Sequence, residues 1–239
     1  MGIEDQVPGT SEGSNPALGF AGKLINIFTS PTKTFQELDQ RPTWIIPFLI
    51  MVIITLATVL LTLPIIIKMA VDEIAKNPEA SQEQIQIVVK TLPFTIPSIA
   101  VLWIVVWFFA FAGILYLVGT LFLGGDSTFK KILSVQSWSS LIIGLSSIVT
   151  IPIVMAKESV LVSLSLALLL PTDAIGTKLH ALLSQIDFFN IWYLATMTLG
   201  FSTIYKFSVK KSAVTMVILW AIWIAISVIR AGLTGQPGV

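Results

Sequence analysis

The chain has 239 residues, of which 55% are hydrophobic and only 11% charged, and its formal net charge at pH 7 is +1. Soluble domains average about 25% charged residues, so this composition excludes an ordinary soluble protein. The charge balance gives no basic block for nucleic acid. The lack of cysteine excludes disulfides and thiolate chemistry, and a single histidine, His180, cannot build a multi-histidine site. We therefore expect no cofactor and no bound metal.

The chain begins with two segments too polar or too short to span a membrane. Residues 1–16 are rich in Gly, Ser, Pro and Glu, so we expect a disordered polar tail. Residues 17–43 carry apolar side chains at helical spacing, which predicts a cytosolic amphipathic segment. Its helices either lie at the membrane surface or pack against the protein's own loops. Their candidate lipid or partner contacts are Phe28 and Phe35.

Five apolar runs without any charged residue make up most of the remaining chain. A helix needs about 20 mainly apolar residues to cross a bilayer, and each run meets that length. The sequence therefore predicts an all-α integral membrane protein with one transmembrane domain over residues 44–230. The five predicted spans are residues 44–67, 97–123, 130–155, 187–206 and 212–230, followed by a C-terminal tail at 231–239.

The connection between the first two predicted spans, residues 68–92, has a helix signal of its own. Ser81 and Gln84 match a capping box, in which each side chain bonds the backbone N–H of the other residue. We therefore predict a long loop that contains an amphipathic helix. Pro64, near the end of the first span, is expected to kink or end its helix, and Pro152 is expected to end the third span.

A shorter charge-free run occupies residues 159–172. Fourteen helical residues extend only about 21 Å, which is too short to cross the hydrocarbon core unaided. We predict a re-entrant or interfacial segment at residues 160–170. The alternative is that it extends a broken sixth span.

The short loops at residues 126–131 and 206–211 are both basic, and short loops are where the positive-inside rule acts most strongly. This places the N-terminus in the cytoplasm and, with five spans, the C-terminus outside. The candidate partner or lipid contacts in the second loop are Lys206, Lys210 and Lys211.

The third predicted span is the most polar. Its side chains either line a substrate path or make hydrogen bonds between and within helices, as Ser and Thr in membrane helices usually do. The candidates are Gln136, Ser137, Ser140 and Ser147. Asp187, at the mouth of the fourth span, is either a proton or cation site or an N3 carboxylate that stabilises the helix start.

Three motifs carry a family resemblance: FTSPTKTFQELDQRPTWIIP (28–47), GGDSTFKKIL (124–133) and IDFFNIWYLATMTLGFSTIYKFSVKKSA (186–213). With five spans in this order, residues 24–230 resemble the bacterial branch of the Yip domain family. The resemblance implies five spans and a cytosolic N-terminus. The family's eukaryotic members act in vesicle trafficking with Rab-type GTPases. The Asp-Leu-Tyr-Gly-Pro motif of those members is missing here, so no Rab-type partner is expected.

The expected function rests on the absence of catalytic and nucleotide-binding motifs and on this resemblance. The sequence contains no protease, P-loop or dinucleotide-binding motif, so we expect no enzyme activity. Some bacterial relatives resemble accessory subunits of export-type ABC transporters. We therefore expect a non-catalytic scaffold or accessory subunit in the bacterial inner membrane, with lipids and another membrane protein, or a second copy, as partners. The alternative is a small permease or a lipid-handling, scramblase-like protein.

Overall fold

A computed structural model describes residues 18–160, 164–171 and 174–234. The predicted tails at 1–16 and, beyond residue 234, at the C-terminus lie outside the described residues. Within those ranges the chain forms eight α-helices and no strand. They are α1 (Phe20–Thr29), α2 (Pro31–Gln40), α3 (Ile45–Ala75), α4 (Gln82–Leu117), α5 (Phe129–Lys157), α6 (Lys178–Ser184), α7 (Phe188–Tyr205) and α8 (Val209–Thr234). A π-helical turn, Val118–Phe122, continues α4.

Four of the described helices are long and apolar enough to cross a membrane: α3, α4 with its π-helical turn, α5 and α8. They coincide with four of the five predicted spans, and the predicted class of all-α integral membrane protein is confirmed. The remaining predicted span, 187–206, forms the 18-residue helix α7. This helix is not among those four, so its crossing of the bilayer stays a prediction.

The helices α3 and α4 are longer than the sequence indicated. The loop predicted at 68–92 is short, because α3 continues to Ala75 and α4 begins at Gln82. The capping box is confirmed: Gln84 N donates to Ser81 Oγ at 3.2 Å and Ser81 N donates to Gln84 Oε1 at 3.1 Å. The helix that starts there runs without interruption into the predicted span. An amphipathic helix and a span have thus merged into one element.

The prolines do not end the helices that contain them. Pro64 lies inside α3 and Pro152 lies inside α5, which continues to Lys157. A proline removes one backbone hydrogen bond, and the turns on both sides keep theirs, so a long helix can pass through it. α5 ends instead at Glu158, whose φ of 47° is left-handed.

Helix α5 is the centre of the bundle. Residues 132–139 are all buried, so this stretch is enclosed on every side, and α5 contacts α1, α2, α3, α4 and α7. Small residues allow the close approach. A β-carbon placed on Gly144 would lie 2.9 Å from Met51 Sδ on α3.

The N-terminal helices α1 and α2 form a hairpin that packs into the bundle. Ile27, Phe35 and Leu38 are fully buried, while Ile25 on the opposite face of α1 is 63% exposed. The hairpin contacts α5 and α7. Of the two predicted alternatives, the structure shows this segment packed against the protein itself, and its contacts are with helices rather than with loops. Phe35 therefore contacts the protein's own interior, which corrects its prediction as a lipid or partner contact.

The segment predicted at 160–170 contains no spanning helix in its described part. Residues Leu166–Leu169 form a single 3-10 turn, and Leu166 N donates to Ile186 O at 3.0 Å. This backbone pairing places the turn beside the junction between α6 and α7. Residues 161–163, which belong to the same prediction, lie outside the described residues.

Candidate functional site: the basic end of the bundle

Two short loops meet at one end of the bundle: residues 123–128, before α5, and residues 206–208, before α8. They are held together by Tyr205, the last residue of α7. A β-carbon on Gly119 would lie 2.2 Å from Tyr205 Cζ, and one on Gly125 would lie 2.5 Å from Tyr205 Cδ1. Only glycine leaves room for the tyrosine ring at these two positions.

The Tyr205 hydroxyl is bonded to the end of α4. It donates to Tyr116 O at 3.2 Å and lies 3.3 Å from Thr120 Oγ1. These partners flank the start of the π-helical turn, where the regular backbone ladder changes its spacing. The hydroxyl thus ties the last turn of α7 to the irregular end of α4.

The second loop and the first turn of α8 present three lysines in different settings. Lys211 Nζ lies 3.8 Å from the centroid of the Phe207 ring and donates to Leu123 O at 3.0 Å, so it joins the two loops. Lys206 has a left-handed φ of 56° and ends α7. Lys206 and Lys210 are exposed.

The N-terminal hairpin is attached to the same end. Lys131 at the start of α5 pairs with Asp39 of α2 at 2.5 Å. Trp138 Nε1 donates to Thr43 O at 2.8 Å. The ion pair is about a quarter exposed, so it is less screened than a surface pair. These contacts bring α2 and the start of α3 next to the basic loops.

This end carries an excess of positive charge. Among its described cations only Lys131 is in an ion pair. The acidic groups here are Asp39, already paired, Glu37 and Asp126. The exposed cations of this end are Lys33, Arg41, Lys130, Lys206, Lys210 and Lys211.

The opposite end has paired charges. Lys68 lies 2.9 Å from Glu158 and Lys76 lies 2.6 Å from Glu73. The hydrogen bond from the Lys68 ammonium, with its charge, lowers the pKa of the Glu158 carboxyl. The two ends of the bundle therefore differ in their free charge.

The candidate polar residues of α5 do not join into a path. Ser137 Oγ donates to Ser134 O at 3.2 Å, Ser140 Oγ to Ser137 O at 2.8 Å, and Ser147 Oγ to Ile143 O at 3.2 Å. Each hydroxyl is used by the backbone of its own helix.

Of the four candidate polar residues of α5, Gln136 is the one with a described hydrogen bond to another helix. Its Nε2 donates to Phe108 O of α4 at 3.0 Å, and its buried Oε1 has no hydrogen-bond partner among the described residues. The amide therefore links α4 and α5 at a cost, because an unpaired acceptor in a buried site is destabilising.

Asp187 lies far from the basic end, at the other end of α7. Its carboxylate accepts from Phe189 N at 2.8 Å and Asn190 N at 3.0 Å, so it is the N-cap residue. The prediction of an N3 position is thus corrected by three residues, although the helix-stabilising role is present. In the part of the chain that the structure describes, no group of three or more His, Asp or Glu side chains could hold a metal.

One surface feature was missed from the sequence. Trp103, Trp107 and Phe111 stack along α4, with ring centroids 6.2 and 5.9 Å apart and interplanar angles of 10°. Trp223 of α8 meets this row, 4.7 Å from Trp107. We call these four residues the aromatic row. The four-residue spacing along α4 was the signal that could have revealed it.

Comparison with known proteins decides the family. A model of the Yip1 domain matches residues 25–230, from within α1 to within α8. The chain belongs to the Yip1 domain family. It is also 25% identical over 228 residues to "Membrane protein YknW" of Bacillus subtilis (strain 168), covering 90% of this chain and 92% of that protein. No solved structure matches the chain significantly. The chain is thus a multi-pass membrane protein of the Yip1 domain family.

The Tyr205 contact gives a test with a matched control on one helix. We expect Gly119→Ala to destabilise the fold by about 1–3 kcal/mol, because the new methyl group overlaps the Tyr205 ring. Gly113→Ala, where nothing lies within 4 Å, should be neutral or stabilising. Denaturant unfolding in micelles measures both, and equal effects of the two variants would contradict the contact.

Proposed function

We propose that this Yip1-domain protein is a non-catalytic scaffold or accessory subunit of a membrane complex, for example of an export-type transporter. The observation that carries the proposal is that the polar side chains of α5 are used internally, whereas α4 presents an aromatic side chain at the surface. Ser137 and Ser140 of α5 donate to the backbone of their own helix, whereas Trp103, at one end of the aromatic row, is 58% exposed. Such a protein offers a binding face to a partner rather than a polar route through its centre.

The aromatic row has the properties of a helix-docking face. Trp103 is 58% exposed, and the row lies near the middle of the charge-free run at 91–125. Tryptophan in membrane proteins is normally enriched at the interfaces with water, so a stacked pair at this position is unusual. Each aromatic pair formed across a helix contact contributes about 0.5–1.5 kcal/mol beyond the area it buries. A transmembrane helix of a second protein, or of a second copy, can pack there.

We further propose that the basic end faces the cytoplasm of the bacterial inner membrane and that the C-terminus lies outside. The support is the concentration of exposed lysines at Lys206 and in the first turns of α5 and α8, beside the two short loops. This orientation needs α7 to be a fifth crossing. Both α6 and α7 pack along α8, so the two helices follow the same neighbour in succession. Neither a nucleic acid nor a Rab-type GTPase is proposed as a partner.

A permease or lipid-handling role is the second candidate. It is favoured by the interruption between α6 and α7, where the 3-10 turn pairs with Ile186 beside the Asp187 carboxylate. Many transporters bind their cargo at discontinuous helices of this kind. Movement of labelled lipids or solutes across proteoliposome membranes, above that of empty vesicles, would favour this role over a scaffold.

The scaffold proposal predicts a partner that depends on the aromatic row. After extraction from native membranes in mild detergent, the chain should copurify with a membrane protein or with a second tagged copy. The double variant Trp103→Ala/Trp107→Ala should lose at least about 80% of that partner, since two ring contacts at the upper value are worth over a tenfold change in affinity.

The control is Phe94→Ala on the same helix, where the side chain is 75% exposed outside the row. It should retain the partner. A protein that is reproducibly solitary, or a control that loses the partner equally, would contradict the proposal.

The proposed orientation can be measured directly because the chain contains no cysteine. In intact cells, a thiol reagent that does not cross the membrane should label Glu79→Cys between α3 and α4. It should reach Lys206→Cys only after the cells are opened. Labelling in the reverse order would show that the basic end lies outside.

A further inference from the structure

We propose that the basic end of the bundle binds the headgroups of anionic phospholipids. The binding surface comprises the exposed side chains of Lys130, Lys206, Lys210 and Lys211, with Arg41 of the N-terminal hairpin beside them. The proposal does not depend on the scaffold role, because a solitary chain can bind lipid equally well.

The fold brings these cations together from three separate segments. The hydrogen bond from Lys211 to Leu123 O joins the loop before α8 to the loop before α5. The pair between Lys131 and Asp39 attaches the end of α2 to the first turn of α5. Arg41 follows two residues after Asp39 and is exposed. The positive surface is therefore built by tertiary contacts rather than by one run of sequence.

The balance of charge leaves this surface with few internal carboxylates. Asp39 is used by Lys131, which leaves Glu37 and Asp126 as the other carboxylates of this end. At the opposite end the lysines near the loops lie among a larger number of carboxylates. Two of these lysines, Lys68 and Lys76, are in ion pairs. Those carboxylates are Asp72, Glu73, Glu79, Glu83 and Glu158. An external anion is thus attracted to one end and not to the other.

The neighbouring apolar side chains favour a lipid over a soluble anion. Phe129 is 37% exposed next to Lys130, and Val209 is 53% exposed next to Lys210. Phe122, at the end of the π-helical turn, is 81% exposed. In a membrane protein such side chains at helix ends meet the acyl chains, and the flexible lysine stems extend from there to the phosphates. Soluble anions would gain nothing from these apolar groups.

The expected strength follows from the number of cations. A lysine near an anionic lipid surface strengthens the attraction about fivefold at physiological ionic strength. Three lysines acting together therefore predict a preference of at least about tenfold for anionic over zwitterionic lipid, even if they act far from additively. The preference should fall as salt is added, because the exposed cations are screened.

The test is native mass spectrometry of the full chain in an uncharged detergent. Phosphatidylglycerol and phosphatidylcholine with the same acyl chains are titrated separately, and inorganic phosphate is a third arm. We expect the phosphatidylglycerol preference in the natural chain and its loss in Lys130→Gln/Lys206→Gln/Lys210→Gln. Replacing the same three lysines by arginine should keep it.

The matched control is Lys76→Gln/Lys90→Gln/Lys157→Gln at the opposite end, which removes the same charge and should keep the preference. Melting in detergent without lipid shows whether each variant folds. If the triple variant does not fold, Lys210→Gln alone is used, and its preference for phosphatidylglycerol should fall about fivefold. Equal binding of both lipids, equal loss in the control, or saturation by inorganic phosphate in place of lipid would overturn the proposal.

Discussion

The close contact of α2, α5 and α7 around Gly200 is the interaction on which the rest of the basic end depends. A β-carbon at Gly200 would lie 2.4 Å from Val135 Cγ1 and 3.0 Å from the Phe35 ring, so these two side chains pack directly against the backbone of α7. This contact fixes the N-terminal hairpin against α5, which places Asp39 beside Lys131. It also fixes the position of α7 along the axis of the bundle. The last residue of α7, Tyr205, is thereby placed at the end of α4.

The second constraint is that a bilayer offers no hydrogen bonds to polar groups. Helix α5 supplies hydrogen-bond acceptors for several of its own serine hydroxyls, although residues 132–139 are enclosed by other helices. Its serines are small enough for close packing, and most of those with described bonds donate to the carbonyl three or four residues earlier. Gln136 is the exception that reaches α4. Polar content in the central helix therefore serves packing.

Much of the fold could be predicted from the sequence because the membrane imposes a simple rule on length and charge. The charge-free runs gave α3, α4, α5 and α8, and a local rule gave the capping box at Ser81. The position of Phe35 could not be predicted, because an amphipathic helix has the same pattern whether its apolar face meets lipid or other helices. The merging of the first loop into α4 was missed because Pro93 and Pro97, just before and at the start of the predicted span, lie inside one continuous helix. Long helices tolerate the lost bond.

The N-terminal hairpin is part of the bundle rather than a surface attachment. The most direct measurement places a photoreactive diazirine analogue of leucine at Leu38, which is fully buried, and irradiates native membranes. We expect insertion into peptides of α5 or α7 of the same chain, located by mass spectrometry. Insertion mainly into lipid or into another protein would contradict it.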